Sequence, residues 1–271
     1  MRQSRYNSAV QMSRFGCFAF GWLLAVCVPA PSAAQSAPAS NTLSPVGDSG
    51  DKTGTNPANL ENVVEVSNRF DAVDEQLFFD QVTWRYGQAF DGRRMRARVE
   101  LPLSFANVTG RTEAGFGDVG IGWEWLSAVR GRVALLAGVK VTFDSSTNEA
   151  LGTGHHTAAP SLGVVFVPRG DTVLSVRYDQ RLGLGDAAGR ADINDGLLEV
   201  AIVRRFAEGT WLRALSTLDV DFEQRDVSGR LEGEWGHVLA GGLSTWVRAG
   251  GGLGKSSPFD WTLHVGFRLV P

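Results

Sequence analysis

The residues best suited by type and spacing to do chemistry are charged, and they alternate with apolar ones. Arg94, Arg96 and Arg98 recur at every second position and lead to Glu100, with Met95, Ala97, Val99 and Leu101 between them. Asp118 and Glu124 share a parity with Gly120 and Gly122, and Lys140 stands between Val139 and Val141. Arg177, Asp179 and Arg181 interleave with Val176 and Tyr178, and Arg213, Asp219 and Asp221 with Leu212, Leu218 and Val220. Arg230, Glu232 and Glu234 alternate with Leu231 and Trp235; Arg248, His264 and Arg268 continue the pattern to the C-terminus. A spacing of two puts side chains on one face of a strand. The chemistry implied is a wall of both charge signs. Such a wall steers, holds and orients small polar solutes through its field. The same residues could instead neutralise one another in a closed interior.

Covalent chemistry finds weaker support. A lipid hydrolase needs a serine, a histidine and an orienting group within reach. His264 lies on the charged parity, whereas lipid chemistry needs the other face. His237 has no evident serine partner, and His155-His156 sit in a long connection with Asp144 and Glu149. These lack a specific metal-ligand spacing and read as exposed loop histidines. Gly250-Gly251-Gly252 neither follows nor opens a helix, so it reads as a kink in a curved strand rather than a phosphate loop. No catalytic, metal or cofactor residue is assigned. A lipid-modifying enzyme ranks third among the functional readings.

The elements that must position these charges are strands. The clearest is Gly115-Phe116-Gly117-Asp118-Val119-Gly120-Ile121-Gly122-Trp123-Glu124-Trp125. Val119, Ile121, Trp123 and Trp125 form one face; small and acidic residues form the other. Period two recurs from Leu60–Phe70 to Phe259–Leu269. Long connections (Asn107–Glu113, Asp144–His156, Gly183–Ile193) alternate with short ones such as Gly87–Gly92 and Leu239–Gly242. Bacterial barrels place short turns in the periplasm, long loops outside, and use an even strand number. Parity then favours twelve strands, with ten as the alternative. On this orientation Phe70, Phe105, Phe143, Phe222, Phe259 and Trp261 fall at outer strand ends. Trp84, Tyr86, Trp123, Trp125 and Trp235 fall at inner ends. Two aromatic girdles suit a bilayer and not a lipocalin-like barrel with inverted faces. The predicted fold is all-β, a transmembrane antiparallel up-and-down barrel.

The ends set the compartment. Arg2, Arg5 and Arg14 precede an apolar run, Phe15 to Ala30, and Ser32-Ala33-Ala34 offers a small-residue cleavage site. That pattern is a signal peptide over 1–34. Cys17 and Cys27 both lie within it, so the remainder carries no disulfide framework. Residues 35–59 are rich in Ser, Ala, Pro, Asn and Gly and read as a flexible periplasmic leader. The barrel is expected over 60–271. Beyond the signal peptide 23 basic residues face 29 acidic ones, which is no nucleic-acid footprint.

Gly115-Phe116-Gly117-Asp118, set between a charged strand and Gly-Ile-Gly-Trp-Glu-Trp, resembles the Gly-x-Gly-Asp signature of an outer-membrane transporter family of the phenol-degradation (MetA-pathway-like) type. The resemblance covers about Leu60 to Pro271 and implies a twelve-strand barrel passing small organic compounds. The last strand also resembles a barrel-assembly signal, but ends in Pro271 where an aromatic is usual. The expected location is the bacterial outer membrane. Expected partners are its lipid, the barrel-assembly machinery and a small organic solute. The leading function is a passive channel or uptake barrel; the alternative is a structural or interaction barrel with a closed charged interior.

Overall fold

Period two is realised as hydrogen-bonded ladders along most of the chain. The computed structural model describes residues 53–271 apart from 75–76, 108–110, 128–130, 186–191 and 255. The signal peptide expected over 1–34, and leader residues 35–52, lie outside the described residues.

The strands are β1 (Val63–Ala72), β2 (Phe78–Phe90), β3 (Met95–Asn107), β4 (Thr112–Phe116), β5 (Gly120–Leu126) and β6 (Val133–Thr142). They continue as β7 (His156–Arg169), β8 (Thr172–Leu184), β9 (Asn194–Arg205), β10 (Thr210–Asp221), β11 (Asp226–Ala240), β12 (Leu243–Leu253) and β13 (Trp261–Leu269). Each pairs antiparallel with its neighbours, and β13 pairs with β1 to close the cylinder. Both β4 and β5 pair with β3, one beside its outer half and one beside its inner half. They are therefore one wall strand interrupted at Gly117–Val119, and the barrel has twelve strands among the described residues. Both ends of the sheet-forming chain lie at the end of the short turns, here the inner end.

One strand face points out and is apolar. Val64, Val66, Leu101, Ile121, Val164, Val176, Val200, Leu231 and Val265 are all exposed. A continuous apolar surface of this kind is covered by lipid, not water. Among the described residues no helix is long and apolar enough to cross a membrane. Rings band both rims: Phe70 packs on Phe78 and Trp261 at 5.8 and 5.3 Å, and Trp123 stacks on Phe90 at 6.0 Å. Phe259 departs from the expected girdle. It precedes β13, is 4 % exposed, and lies under the Arg69 guanidinium at 5.5 Å. Outside the ladder its parity no longer fixes its direction.

Val200 sits mid-strand with its side chain outward, between Val176 and Ser216. Val200→Arg is expected to lose about 2–4 kcal/mol of stability in lipid vesicles, the range for a cation near the bilayer midplane. Val200→Leu is expected to change it little. Urea unfolding from vesicles reads both.

The buried apolar cluster lies inside the cylinder at its inner end. Leu126, Leu136, Val165, Val173 and Val203 point inward there and pack with Trp211 and Trp246. The two indoles need glycine beside them. Gly236 is opposite both Trp211 and Trp246, and Gly266 is opposite Trp246. A Cβ on Gly236 would lie 2.1 Å from Trp211, and one on Gly266 would lie 2.6 Å from Trp246. Residues 53–59, assigned above to the flexible leader, enter the same end. Ala58 and Leu60 join the apolar cluster, and Leu60 is 2 % exposed. Asn56 Oδ1 accepts from the Ala58 amide (2.9 Å), turning the segment. Its backbone carbonyl at Thr53 accepts from Arg268 Nη1 (2.9 Å). The predicted boundary at residue 60 therefore moves earlier, because backbone groups and two modest apolar side chains anchor a segment whose composition shows no core.

Candidate functional site

Direct opposition of strands sorts the inward charges into rows. Arg268, Glu65, Arg85, Glu100 and Gly120 face one another in turn across β13, β1, β2, β3 and β5. Opposite charges side by side stabilise a sheet, and here they alternate. Arg268 Nε donates to Glu65 Oε2 (2.6 Å), Arg85 Nη1 to Glu65, Arg85 Nε to Glu100 Oε1 (2.9 Å), and Lys140 Nζ to Glu100. A second carboxylate, Glu124, takes both Nε and Nη2 of Arg96 (2.8 and 2.6 Å) and meets Arg98 and Arg177 at 3.6 and 3.4 Å. Arg177 also grips Asp179 at 2.7 Å. On the far wall Arg248 clamps Glu234 through two nitrogens, while Trp211 Nε1 donates to the other oxygen of Glu234 (2.8 Å). Arg213 reaches Glu199 at 3.2 Å. The Arg230–Glu232 pair is loose at 3.9 Å, and His264 stands 3.5 Å from Glu232 and 2.9 Å from Thr262.

Other expected lumen residues lie toward the ends of the barrel, outside these rows. Arg94 lies in the exposed turn before β3, so the arginine column begins at Arg96. Arg181 is exposed at the outer rim and paired with Asp195. Asp221 caps the β10–β11 turn by accepting from the amides of Glu223 (2.9 Å) and Gln224 (2.8 Å), and Asp219 is half-buried beside it. Asp118 lines the outer cavity, but not from a strand. It sits in the gap between β4 and β5, where the strand it was expected to line is broken. Oδ1 accepts from the amides of Ser145 and Ser146 (3.2 and 3.1 Å); Oδ2 accepts from the amide and hydroxyl of Thr153 (2.6 and 2.9 Å). The long β6–β7 connection is thereby held in the outer mouth. Its Leu151 is 4 % exposed and packs over Gly115, where a Cβ would lie 3.2 Å from it and 2.0 Å from Thr147 Oγ1. The Gly-x-Gly-Asp run is thus a socket for this loop.

His155 is buried, not exposed, in the same loop, and neither ring nitrogen has a hydrogen-bond partner among the described residues. His156 Nδ1 accepts from the Asp144 amide (3.1 Å), and His237 pairs with Thr210 Oγ1 at 3.0 Å. Among the described residues no group of three or more His, Cys, Asp or Glu is placed to hold a metal.

Two cavities lie in series along the axis. The central one, about 520 Å³, is bounded inward by residues 54–60 and the apolar cluster. Nine of its lining residues are Arg or Lys and four are Glu, so it carries a cationic excess. The outer one, about 620 Å³, lies beneath Leu151 and Thr153 and is lined by hydroxyls, Phe79, Arg69 and Arg181. Arg85, Glu100 and Lys140 line both. Sequence reading did not single out Glu65, Arg85, Arg69 or Asp71, although each lies on the polar parity of β1 or β2. The alternation there was the available signal.

The fold is shared with solved outer-membrane barrels. An outer membrane channel from Pseudomonas putida F1 superposes with a TM-score of 0.67 at 12 % identity, over 78 % of this chain and 96 % of that one. The NanC porin gives 0.58 at 9 % identity, over 77 % and 98 %. The KdgM porin gives 0.54 at 10 % identity, over 76 % and 98 %. No family model matches the chain, and no curated protein is detectably similar in sequence.

Proposed function

We propose that this protein is a passive channel of the bacterial outer membrane for small organic solutes, with a preference for anions. The observation that carries the reading is the pair of cavities along the axis, the central one walled by more cations than carboxylates. Low-dielectric walls focus such a field and favour anions. Buried guanidinium nitrogens without acceptors among the described residues, Arg98 Nε and Arg213 Nε, add donors for a solute. The similar solved barrels are an outer membrane channel and porins, which supports a transport reading. The Gly115–Asp118 run supports the narrower placement in the MetA-pathway-like transporter family. Delivery to lipid by the barrel-assembly machinery fits the same reading. A second reading, a closed interaction barrel, draws on one feature: residues 53–60 and the apolar cluster fill the inner end.

Conductance of the purified barrel in planar bilayers separates them. The channel reading expects single-channel steps and a reversal potential favouring anions. Arg230→Gln removes the most loosely paired cation of the central cavity, and the anion-to-cation permeability ratio is expected to fall roughly several-fold with folding intact. A folded barrel without steps would leave the closed reading in place.

A further inference from the structure

The geometry points to Glu100 as a tethered competitor: a carboxylate of the protein that a passing organic acid must displace at the boundary between the two cavities. This rests on the channel reading and names the solute class, small carboxylates. Three observations carry it. The residues common to both cavities are Arg85, Glu100 and Lys140, so a solute moving from one to the other passes this cluster. Glu100 alone neutralises much of it: Lys140 and Arg85 donate to its two oxygens, and Arg98 Nε lies 3.2 Å from Oε1. Among the described residues that Arg98 nitrogen is nonetheless buried without a hydrogen bond, a donor close to a carboxylate but not aimed at it.

The cations of the cluster are held in place but not sealed in. Lys140 passes over Gly120, where a Cβ would lie 2.7 Å from its Cε. Any larger residue at 120 would displace the lysine. Arg85 is bound to Glu65 as well as Glu100, so it keeps one carboxylate when the other is displaced. The side chains of Lys140 and Arg85 are about one-third exposed, 35 % and 30 %, and so can be reached from the cavities. An incoming carboxylate offers the same two oxygens as Glu100 and makes the same charge-assisted hydrogen bonds. Binding is then paid back at once when Glu100 returns, which keeps the solute from being trapped.

Removing the competitor has an effect opposite to that of removing a cation. Glu100→Gln leaves Lys140, Arg85 and Arg98 without their shared carboxylate. Benzoate is the probe, with chloride as carrier. In planar bilayers the variant is expected to show a higher anion preference and benzoate interruptions of the chloride current lasting roughly tenfold longer than in the parent. Calorimetric titration of benzoate into the detergent-solubilised barrel reads the same seat without relying on conduction, and about tenfold tighter binding is expected. Glu100→Asp keeps the charge and draws the carboxylate back by one methylene; it is expected to fall between the two, and it serves if Glu100→Gln does not fold. Lys140→Gln is expected to shorten the interruptions. Unchanged benzoate binding and dwell time in a folded, conducting Glu100 variant overturns the proposal and leaves the channel reading standing. A parent that conducts nothing overturns the channel reading and, with it, this one.

Discussion

Asp118→Ala is expected to release the β6–β7 loop from the outer mouth and raise the single-channel conductance. The aspartate accepts four hydrogen bonds from Ser145, Ser146 and Thr153, all from one loop. Hydrogen bonds to a charged acceptor contribute about 1.5–3 kcal/mol each, and those sharing one carboxylate do not add. Partial exposure reduces them further, so a net loss of roughly 2–3 kcal/mol in loop docking is expected. The remaining ties are Val119 N to Ser145 Oγ (2.9 Å), Thr147 N to Phe116 O (3.0 Å), Asn148 Nδ2 to Glu113 Oε2 (2.9 Å) and buried Leu151, so the release is expected to be greatest at Ser146 and Thr153. Protease added outside cells should then cut within 144–155 far faster than in the parent, while thermal unfolding of the barrel changes little. Asp118→Asn keeps the shape but loses the charge, and an intermediate effect is expected. Unaltered cleavage and conductance in Asp118→Ala would show that Leu151 and the glycine socket hold the loop without the carboxylate.

Gly236→Val is expected to destabilise the barrel by overpacking its inner end. Trp211 is 0 % exposed, its Nε1 is fixed on Glu234, and its ring lies against the backbone of residue 236. A Cβ at 2.1 Å forces the indole or the backbone at residue 236 to shift. Overpacking of this kind costs about 1–3 kcal/mol, and loss of the buried Trp211–Glu234 hydrogen bond takes the expectation to the upper end of that range. Denaturant unfolding in vesicles measures it. Trp211→Leu leaves a cavity and is itself destabilising. Combined with Gly236→Val, however, it should be less harmful than the sum of the two, because the valine fills space the indole vacated. Additive losses would mean that the two residues are not coupled.

Strand number and facing were legible because outward apolar and inward polar or small residues alternate cleanly in β3, β5 and β13. The inner-end cluster was not. In Val164-Val165-Phe166-Val167 and Leu135-Leu136, apolar residues occupy both parities, so period two carries no sign of which side is core. Val165 and Leu136 turn inward while their neighbours face lipid. The Glu100 and Glu124 hubs followed from parity, but their partners did not: Lys140 meets Glu100 from 40 residues away, and Arg177 meets Glu124 from 53. Asp118 kept its expected side of the wall yet lost its place on a strand, because Gly117 ends one ladder and Gly120 starts the next. The docking of 53–60 was invisible, since its tie to Arg268 is a main-chain carbonyl that no side-chain pattern announces.

The closure of β13 on β1 sets the timetable on which this chain acquires its shape. Arg268 meets Glu65 across 203 residues, and Thr262 meets Asp71 across 191. Contacts of such sequence separation form slowly, because the entropy of closing the intervening chain is lost before they give anything back. Until the final strand arrives, β1 presents an unpaired edge of amides and carbonyls, a template for pairing with other chains. Val64 and Val66 make that edge apolar as well. The first strand in the chain is thus the last to be completed, and Glu65, which Arg85 reaches from the adjacent β2, gains Arg268 only when the seam closes. The seam, rather than any single hairpin, is where the incomplete barrel is most open to mispairing.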